Sequence, residues 1–298
     1  MTMFRFEHLA TLVALIEEGT FDAAARRLSV TPSAISQRMK AMERSAGQVL
    51  VQRSNPVEPT AAGDIALRYG RKMQLLEEEA ARALALEVGE GGAVTVPLAI
   101  NADSLGTWFL EALTRADTPG AAFEIFREDQ EHTASLLRAG KVMAAVTSDT
   151  EAVQGCRSEL LGTMPYRAVC SPGFLADRLG GEVTPAALGR APVIDFDRKD
   201  ETQSRFYRRF ADRTLQAPRH YIPTSADYAR AIVLGLGWGL LPDQQCLDGL
   251  GRGELVELAA EQVVEVPLYW QRWALESPLL DDLTEAVKAV AAREMRPG

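Results

Sequence analysis

The chain has 298 residues, of which 47% are hydrophobic and 24% charged, and its formal net charge is −9. This length suits about two domains of roughly 150 residues each, and the composition is ordinary for a soluble protein. No apolar run approaches the roughly 20 residues of a membrane span. Charged residues interrupt the apolar start, unlike a signal peptide, and three scattered cysteines suit a reducing compartment, so we expect a cytoplasmic protein.

The charge is unevenly distributed along the chain. Residues 1–60 carry a net charge of +1, whereas the remainder carries −10. Within residues 31–53, four cations stand against a single acid, Glu43. A basic segment in an acidic chain is typical of a surface that binds a polyanion, although a solvated helix explains the charge equally well. The spacing of the other residues must therefore decide between the two interpretations.

That spacing predicts a helix-turn-helix with a small wing in residues 1–60. A first helix of apolar residues at helical spacing ends at Gly19, and Thr20 is placed to cap a second helix. Thr31 caps a third helix with proline at its first position, and the apolar side of that helix is expected to face inward. The extended segment VLVQRSNPVEPT follows and resembles a β-wing. Two short helices joined by a tight turn, the second polar outside, favour DNA binding.

The exposed side of the third helix and the wing carry hydroxyls, an amide and cations, which suit base edges and phosphates. We expect the hydroxyls and the amide to read bases, and Lys40 and Arg53 to hold phosphates. The candidate DNA-binding residues are Thr31, Ser33, Ser36, Gln37, Arg38, Lys40 and Arg53.

Residues 61–88 form a second predicted unit, a long linker helix. Apolar residues recur at spacings of four and three, which is the pattern of a helix that pairs with another helix. The predicted seam consists of Ala62, Ala66, Tyr69, Met73, Leu76, Ala80 and Ala83. The alternative is a helix that lies on its own body. The glycine-rich break at residues 89–92 favours a separate, dimerising helix.

Residues 93–298 contain two similar series of strands and helices, which predict a two-lobed α/β domain with mainly parallel sheets. We expect one lobe to span about 93–163 and 266–298, and the other about 164–265. In such lobes, ligands lie in the crevice beyond the carboxyl ends of the strands.

Acids follow the first two strands of this domain, and their mutual repulsion would be offset by a ligand ammonium or guanidinium. The alternative is a set of solvated loop acids. Free N–H groups at helix starts could hold a carboxylate, and Asp195 is expected near the hinge between the lobes. The candidate effector-binding residues are Asp103, Ser104, Glu128, Asp129, Thr147, Asp195, Thr224 and Ser225.

No catalytic or metal-binding set is visible. The three histidines lack metal-ligand spacing, and the sequence contains neither H-E-x-x-H nor G-x-S-x-G. The GLGWG segment at residues 235–239 closes a helix, whereas a dinucleotide loop follows a strand and opens a helix. We therefore expect neither an enzyme nor a cofactor beyond a small-molecule effector.

The head sequence FDAAARRLSVTPSAISQRMKAMERSAGQVLVQR, followed by PTAAG, resembles the winged helix-turn-helix of LysR-type transcriptional regulators. The linker and the two-lobed body are similar to that family over the whole chain. The segments INADSLGTWF, EDQEHTASLLRAGKVMAAVT and YWQRWALES resemble the ArgP and LysG branch, the activators of lysine and arginine export.

The resemblance implies a periplasmic-binding-protein-like effector domain and a tetramer built from homodimers. It also implies binding to operator DNA and a basic amino acid, contact with RNA polymerase, and activation of an exporter gene. A regulator that answers to another amino acid or an organic acid, and a DNA-binding protein without an effector, remain the alternatives.

Overall fold

The structure is a computed structural model, which describes residues 4–84, 94–127 and 130–298. Contacts within the chain divide it into two compact units. Unit 1 comprises Met1–Ile100, Asp117–Ser158 and Gln271–Asp282, and unit 2 comprises Asn101–Ala116, Glu159–Trp270 and Leu283–Gly298. None of the helices in the described residues combines the length and hydrophobicity needed to cross a membrane.

The head in unit 1 is a three-helix bundle with a wing, as the sequence predicts. Its elements are α1 Phe6–Glu18, α2 Phe21–Arg27, α3 Pro32–Ala46, β1 Val51–Gln52 and β2 Glu58–Pro59. Gly19 ends α1 in the left-handed conformation, and the Thr20 and Thr31 hydroxyls each accept a backbone N–H at the start of the next helix. The two wing strands pair antiparallel. These caps fix where α2 and α3 begin.

The linker helix α4 spans Ala61–Ala83 and packs against the head. Ala66 is buried in the head core, and Ala62 packs against that core. The predicted seam is therefore wrong at these two alanines, because small side chains suit close packing against α1 as well as against a partner helix. The large apolar side chains left exposed on α4 are Ile65, Tyr69, Met73 and Leu76. The side chain of Ala83 and the glycine-rich break lie outside what the structure describes.

The remaining elements, in chain order, are β3 Val94–Ile100, α5 Ala102–Thr107, α6 Phe109–Arg115, β4 Ala121–Arg127, α7 Gln130–Arg138, β5 Ala144–Thr147, β6 Cys156–Cys170, α8 Pro172–Leu179, α9 Pro185–Leu188, β7 Val193–Asp195, α10 Thr202–Ala211, β8 Arg219–Tyr221, α11 Ser225–Val233, β9 Gly239–Pro242, α12 Asp243–Gly251, β10 Val256–Glu257, β11 Val264–Trp273 and α13 Pro278–Glu294.

The body part of unit 1 contains the predicted parallel sheet, since β3 pairs parallel with both β4 and β5. Helix α7 packs on β5 and β3. Apart from Pro97 and Thr147, the buried positions of β3 and β5 are aliphatic, which is typical of strands covered on both faces.

Unit 2 differs from the prediction of mainly parallel sheets. The long strand β6 pairs antiparallel with β9 and with β10, whereas β7 and β8 pair parallel. Residues 101–116 and 283–298, which the sequence assigns to the first lobe, belong to unit 2. For α5, the physical reason is a pair of hydrogen bonds that the Asp103 carboxylate accepts from side chains of other elements of unit 2.

Candidate DNA-binding and effector sites

Helix α3 presents a polar stripe to solvent. Ile35, Met39 and Met42 are buried in the head, which fixes the rotation of the helix. Ser33, Gln37 and Lys40 are exposed at spacings of four and three, and Ser36 is half-buried beside them. Residues at this spacing lie on one face of a helix. The stripe therefore offers a hydroxyl, an amide and an ammonium group to a single ligand surface.

Two other candidate DNA-binding residues, Thr31 and Arg38, make side-chain contacts within the head. The Thr31 hydroxyl caps the helix by accepting the Ala34 N–H at 3.2 Å. Arg38 faces α1, where it donates to the Thr11 hydroxyl at 3.4 Å and lies 3.8 Å from the Glu7 carboxylate. The structure thus does not bring Arg38 to the exposed stripe, because the helical rotation that buries Met39 and Met42 turns Arg38 toward α1.

An open depression of about 860 Å³ lies at the end of this stripe. Its lining includes Gln37, Lys40 and also Arg44, a cation absent from the candidate residues. Arg44 lies four residues after Lys40, so the helical spacing alone could have identified it. On the wing, Arg53 is exposed, with its guanidinium 6.0 Å from the centre of the Phe21 ring.

A hydrogen-bonded polar cluster in unit 2 surrounds Asp103. One carboxylate oxygen of Asp103 accepts the Tyr166 hydroxyl at 2.8 Å, and the other accepts the Ser225 hydroxyl at 2.7 Å. The Gln245 side chain donates to the Ser225 oxygen at 2.7 Å. Helices α5, α11 and α12 and strand β6 therefore each contribute one side chain to the cluster.

Burial is the main influence on the ionisation of this cluster. Burial raises the pKa of Asp103 above its ordinary value, an effect that the hydrogen bonds from Ser225 and Tyr166 oppose and the charge of Asp200 reinforces. Burial also raises the pKa of Tyr166 well above its usual range, and the charge of Asp103 adds to this rise. A positive group near Asp103 would favour the ionised carboxylate and so oppose the effect of burial.

Two buried polar atoms of this region make no hydrogen bond within the described residues. They are the hydroxyl oxygen of Ser104 and the amide oxygen of Gln245. Ser104 follows Asp103 on α5, and Gln245 bonds to Ser225, so both belong to the same surroundings. Buried polar atoms without a protein partner are rare in folded proteins, and such atoms are usually satisfied by an ordered water, an ion or a ligand.

Asp195 lies inside unit 2, and its expected place near the hinge between the lobes stays a prediction. It is fully buried at the end of β7, where Arg219 donates to one of its carboxylate oxygens at 2.6 Å. Burial raises the pKa of Asp195, although Arg219 opposes the rise. Strand β8 pairs with β7 and so brings Arg219 beside the acid. The other carboxylate oxygen makes no hydrogen bond within the described residues.

No side chain of the described residues caps the N-terminus of α11. Thr224 precedes the helix but makes no side-chain cap, because its hydroxyl donates to Asp227 at 2.6 Å instead. By contrast, the N–H of Ser104 is already bonded to the Asn101 side chain at 2.7 Å. Of the two helix starts predicted to hold a carboxylate, only the one at Thr224 and Ser225 is without a side-chain cap.

Three other predicted effector residues are not joined to this cluster by the described contacts. Glu128 and Asp129 lie outside the residues that the structure describes. Thr147 is buried in unit 1 at the end of β5, and its hydroxyl accepts the Asp149 N–H at 3.1 Å. Among the described residues, no group of His, Cys, Asp and Glu side chains is arranged to hold a metal ion.

Sequence reasoning missed Tyr166 and Gln245, since both lie on elements it did not predict, β6 and α12. It also missed Asp200, whose carboxylate accepts the N–H groups of Phe196 and Thr202 at 3.0 and 2.9 Å. An aspartate two residues before a predicted helix is a recognisable start signal, so Asp200 could have been found.

The chain is similar to known proteins in both sequence and structure. Residues 6–64 match the family model described as "Bacterial regulatory helix-turn-helix protein, lysR family", and residues 97–292 match "LysR substrate binding domain". The "Lysine export transcriptional regulatory protein LysG" of Corynebacterium efficiens is 42% identical over 291 residues, which covers 97% of this chain and 98% of the relative.

Two solved structures resemble the whole chain. ArgP from Mycobacterium tuberculosis superposes with a TM-score of 0.89 at 38% identity and covers 98% of both chains. Full-length LysG from Corynebacterium glutamicum with bound effector Arg superposes with a TM-score of 0.80 at 38% identity and covers 99% of this chain and 100% of that chain. The relatives are named as regulators of transcription, in line with the expectation of a regulator rather than an enzyme.

Proposed function

We propose that this chain, which belongs to the LysR family of bacterial regulatory helix-turn-helix proteins, activates transcription of an amino-acid exporter gene in response to lysine or arginine. The observation that carries the effector assignment is the buried, hydrogen-bonded carboxylate of Asp103 with unpartnered polar atoms beside it. The similarity to the structure of LysG with bound effector Arg supports the same ligand class.

The DNA-binding part of the proposal assigns direct base contacts to Ser33, Ser36 and Gln37. An exposed amide such as that of Gln37 can bond two atoms of one adenine edge in the major groove. Lys40 and Arg53 carry the phosphate contacts, because cations that bond to phosphate position the protein on the DNA backbone without reading the base sequence. We add Arg44 to the proposed phosphate-binding residues, because it lines the same depression as Lys40. We remove Arg38 from the proposed DNA contacts, because its side chain faces α1.

Gel-shift titrations over a salt series separate these roles. Gln37→Ala should cost about 1–3 kcal/mol at one base position and relax specificity there. Lys40→Ala should weaken binding to all sequences similarly and reduce the salt slope by roughly one unit. Arg38→Ala serves as the matched control, since its side chain faces α1. Wild-type affinity and salt slope in both test variants would contradict the assignment.

The effector part places the α-ammonium group of the ligand near Asp103. This group would offset the charges of Asp103 and Asp200, and could donate to Gln245 and Ser104. The ligand carboxylate is assigned to the start of α11, where N–H groups and the helix dipole favour an anion. Ser225 at this helix start donates to Asp103 at 2.7 Å, so the two ligand groups held here are neighbours in the ligand. Glu128 and Asp129 are assigned to the side-chain ammonium or guanidinium.

The pH dependence of lysine binding tests the role of Asp103. Burial raises the pKa of Asp103 above its ordinary value of 3.8. The carboxyl group is therefore still partly protonated when the pH of the solution is just above 3.8. A bound cation favours the ionised form, so binding releases a proton in this window. Lysine affinity should therefore rise with pH, by roughly tenfold per unit at most. Calorimetry between about pH 4.5 and 7 measures this slope. An equal slope in Asp103→Asn would assign the proton to another group.

The proposal extends to the assembly. The exposed apolar side chains of α4 pair two chains into a homodimer, and two dimers form the tetramer. Ile65, Tyr69, Met73 and Leu76 supply the large side chains of this seam. As an activator, the assembly contacts RNA polymerase at the promoter.

A further inference from the structure

Three parts of unit 1 meet at one point of the linker helix. On one side, a methyl group added at Gly70 would lie 2.9 Å from a Val13 side-chain carbon and 3.3 Å from the Leu9 carbonyl oxygen, so α4 and α1 are in close contact there. On the other side, Gly140, in the turn after α7, approaches the Arg68 backbone. A methyl group at Gly140 would lie 2.6 Å from the Arg68 Cα.

Arg71 bonds to both neighbours of α4 at this point. Its Nη1 donates to the Gly140 carbonyl oxygen at 2.5 Å, while its Nη2 donates to the Glu17 carboxylate of α1 at 3.2 Å. The side chain is only 11% exposed, so water screens these contacts weakly. The planar guanidinium presents donors in a fixed fork, which suits it to hold two partners at once.

Helix α7 connects this junction to the sheet of the effector domain. It packs on β5 and β3, within the residues that match the LysR substrate binding domain, and ends at Arg138, two residues before Gly140. Nine helical residues span about 13 Å. A shift of α7 within the effector domain would therefore reach the Gly140 turn along one short, rigid element.

We propose that Arg71 is the positioning residue that couples the effector domain to the DNA-binding head, by fixing the Gly140 turn to Glu17 of α1. This inference rests on the proposed function, because it concerns how effector binding reaches the DNA. Both ligands must bias a shared element for such coupling to exist. Arg71 gives the Gly140 turn and α1 a common partner.

The test compares full-length wild type with Arg71→Met and with the matched control Arg27→Met. Arg27 also bonds to Glu17, at 2.7 Å, but lies in α2. The DNA is an operator fragment selected by the wild-type protein from random sequences. Gel shifts with and without L-arginine or L-lysine give the coupling factor, which is typically about 5–150-fold. Circular-permutation gel shifts give the DNA bend angle without any amino acid.

Arg71→Met should bind arginine and unliganded operator within about threefold of wild type, while its coupling factor falls toward one. Its bend angle should differ from that of wild type even without ligand, and Arg27→Met should match wild type in both readouts. If Arg71→Met does not fold, Arg71→Lys replaces it, since lysine keeps the charge but lacks the fork.

An Arg71 variant that keeps the wild-type coupling factor and bend angle overturns the proposal. If the wild type responds to neither lysine nor arginine, the effector assignment fails, and the unliganded bend angle still decides the role of Arg71.

Discussion

Replacing Met73 and Leu76 together by glutamate is expected to break the assembly into smaller species. Both side chains are large and apolar, yet 40% and 43% exposed on α4. Full burial of such a side chain contributes about 1.5–3 kcal/mol, and a dimer would bury four of them. Even partial burial makes the expected loss roughly 100-fold or more in dimer affinity. Light scattering measures the species directly.

The matched control is Leu247→Glu, which introduces the same charge at a leucine that is 50% exposed on α12. This variant should keep the wild-type assembly. If the α4 double variant also keeps it, the helix does not pair two chains, and its exposed face serves another contact.

Glu128→Gln is expected to weaken the binding of lysine much more than the binding of norleucine. Norleucine has the same aliphatic side chain as lysine but lacks the side-chain ammonium group. A hydrogen bond to a charged group contributes about 1.5–3 kcal/mol, so the loss for lysine should be roughly 10–100-fold. Asp129→Asn should act in the same direction. Calorimetric titration of each variant with both ligands measures the difference.

Glu124→Gln is the control for these variants, because Glu124 is an exposed acid on β4, close in sequence. It should leave lysine binding unchanged. Wild-type lysine affinity in Glu128→Gln and Asp129→Asn alike would mean that these acids are solvated surface charges.

The head could be predicted almost completely because its signals are local. Gly19 stops α1, Thr20 caps α2, and Thr31 with Pro32 starts α3, each through its own backbone preference or side-chain hydrogen bond. Such signals act within a few residues and need no knowledge of the rest of the chain.

Strand β6 could not be predicted in the same way. It runs through Gly162 and Pro165, two residues that usually mark a turn, and the tertiary pairing with β9 and β10 overrides this preference. Because β6 is not predicted, the sequence also gives no sign of Tyr166, which donates one of the two side-chain hydrogen bonds that the Asp103 carboxylate accepts.

The side of a helix that a small residue faces is equally hard to predict. Alanine suits close packing against any neighbour, so Ala62 and Ala66 fitted a dimer seam by spacing although they pack against the head. Asp195 shows the same limit, since its partner Arg219 lies 24 residues further along the chain. Pairings set by the tertiary fold leave no local pattern.

The central claim is that a basic amino acid bound by the effector domain changes how the head binds operator DNA. Operator titrations with L-lysine, L-arginine or norleucine test it most directly. We expect lysine or arginine to change the operator affinity by about 5–150-fold, as is typical of coupled sites, and norleucine to leave it unchanged. An operator affinity that is the same with all three ligands, or that norleucine changes as much as lysine does, would contradict the account.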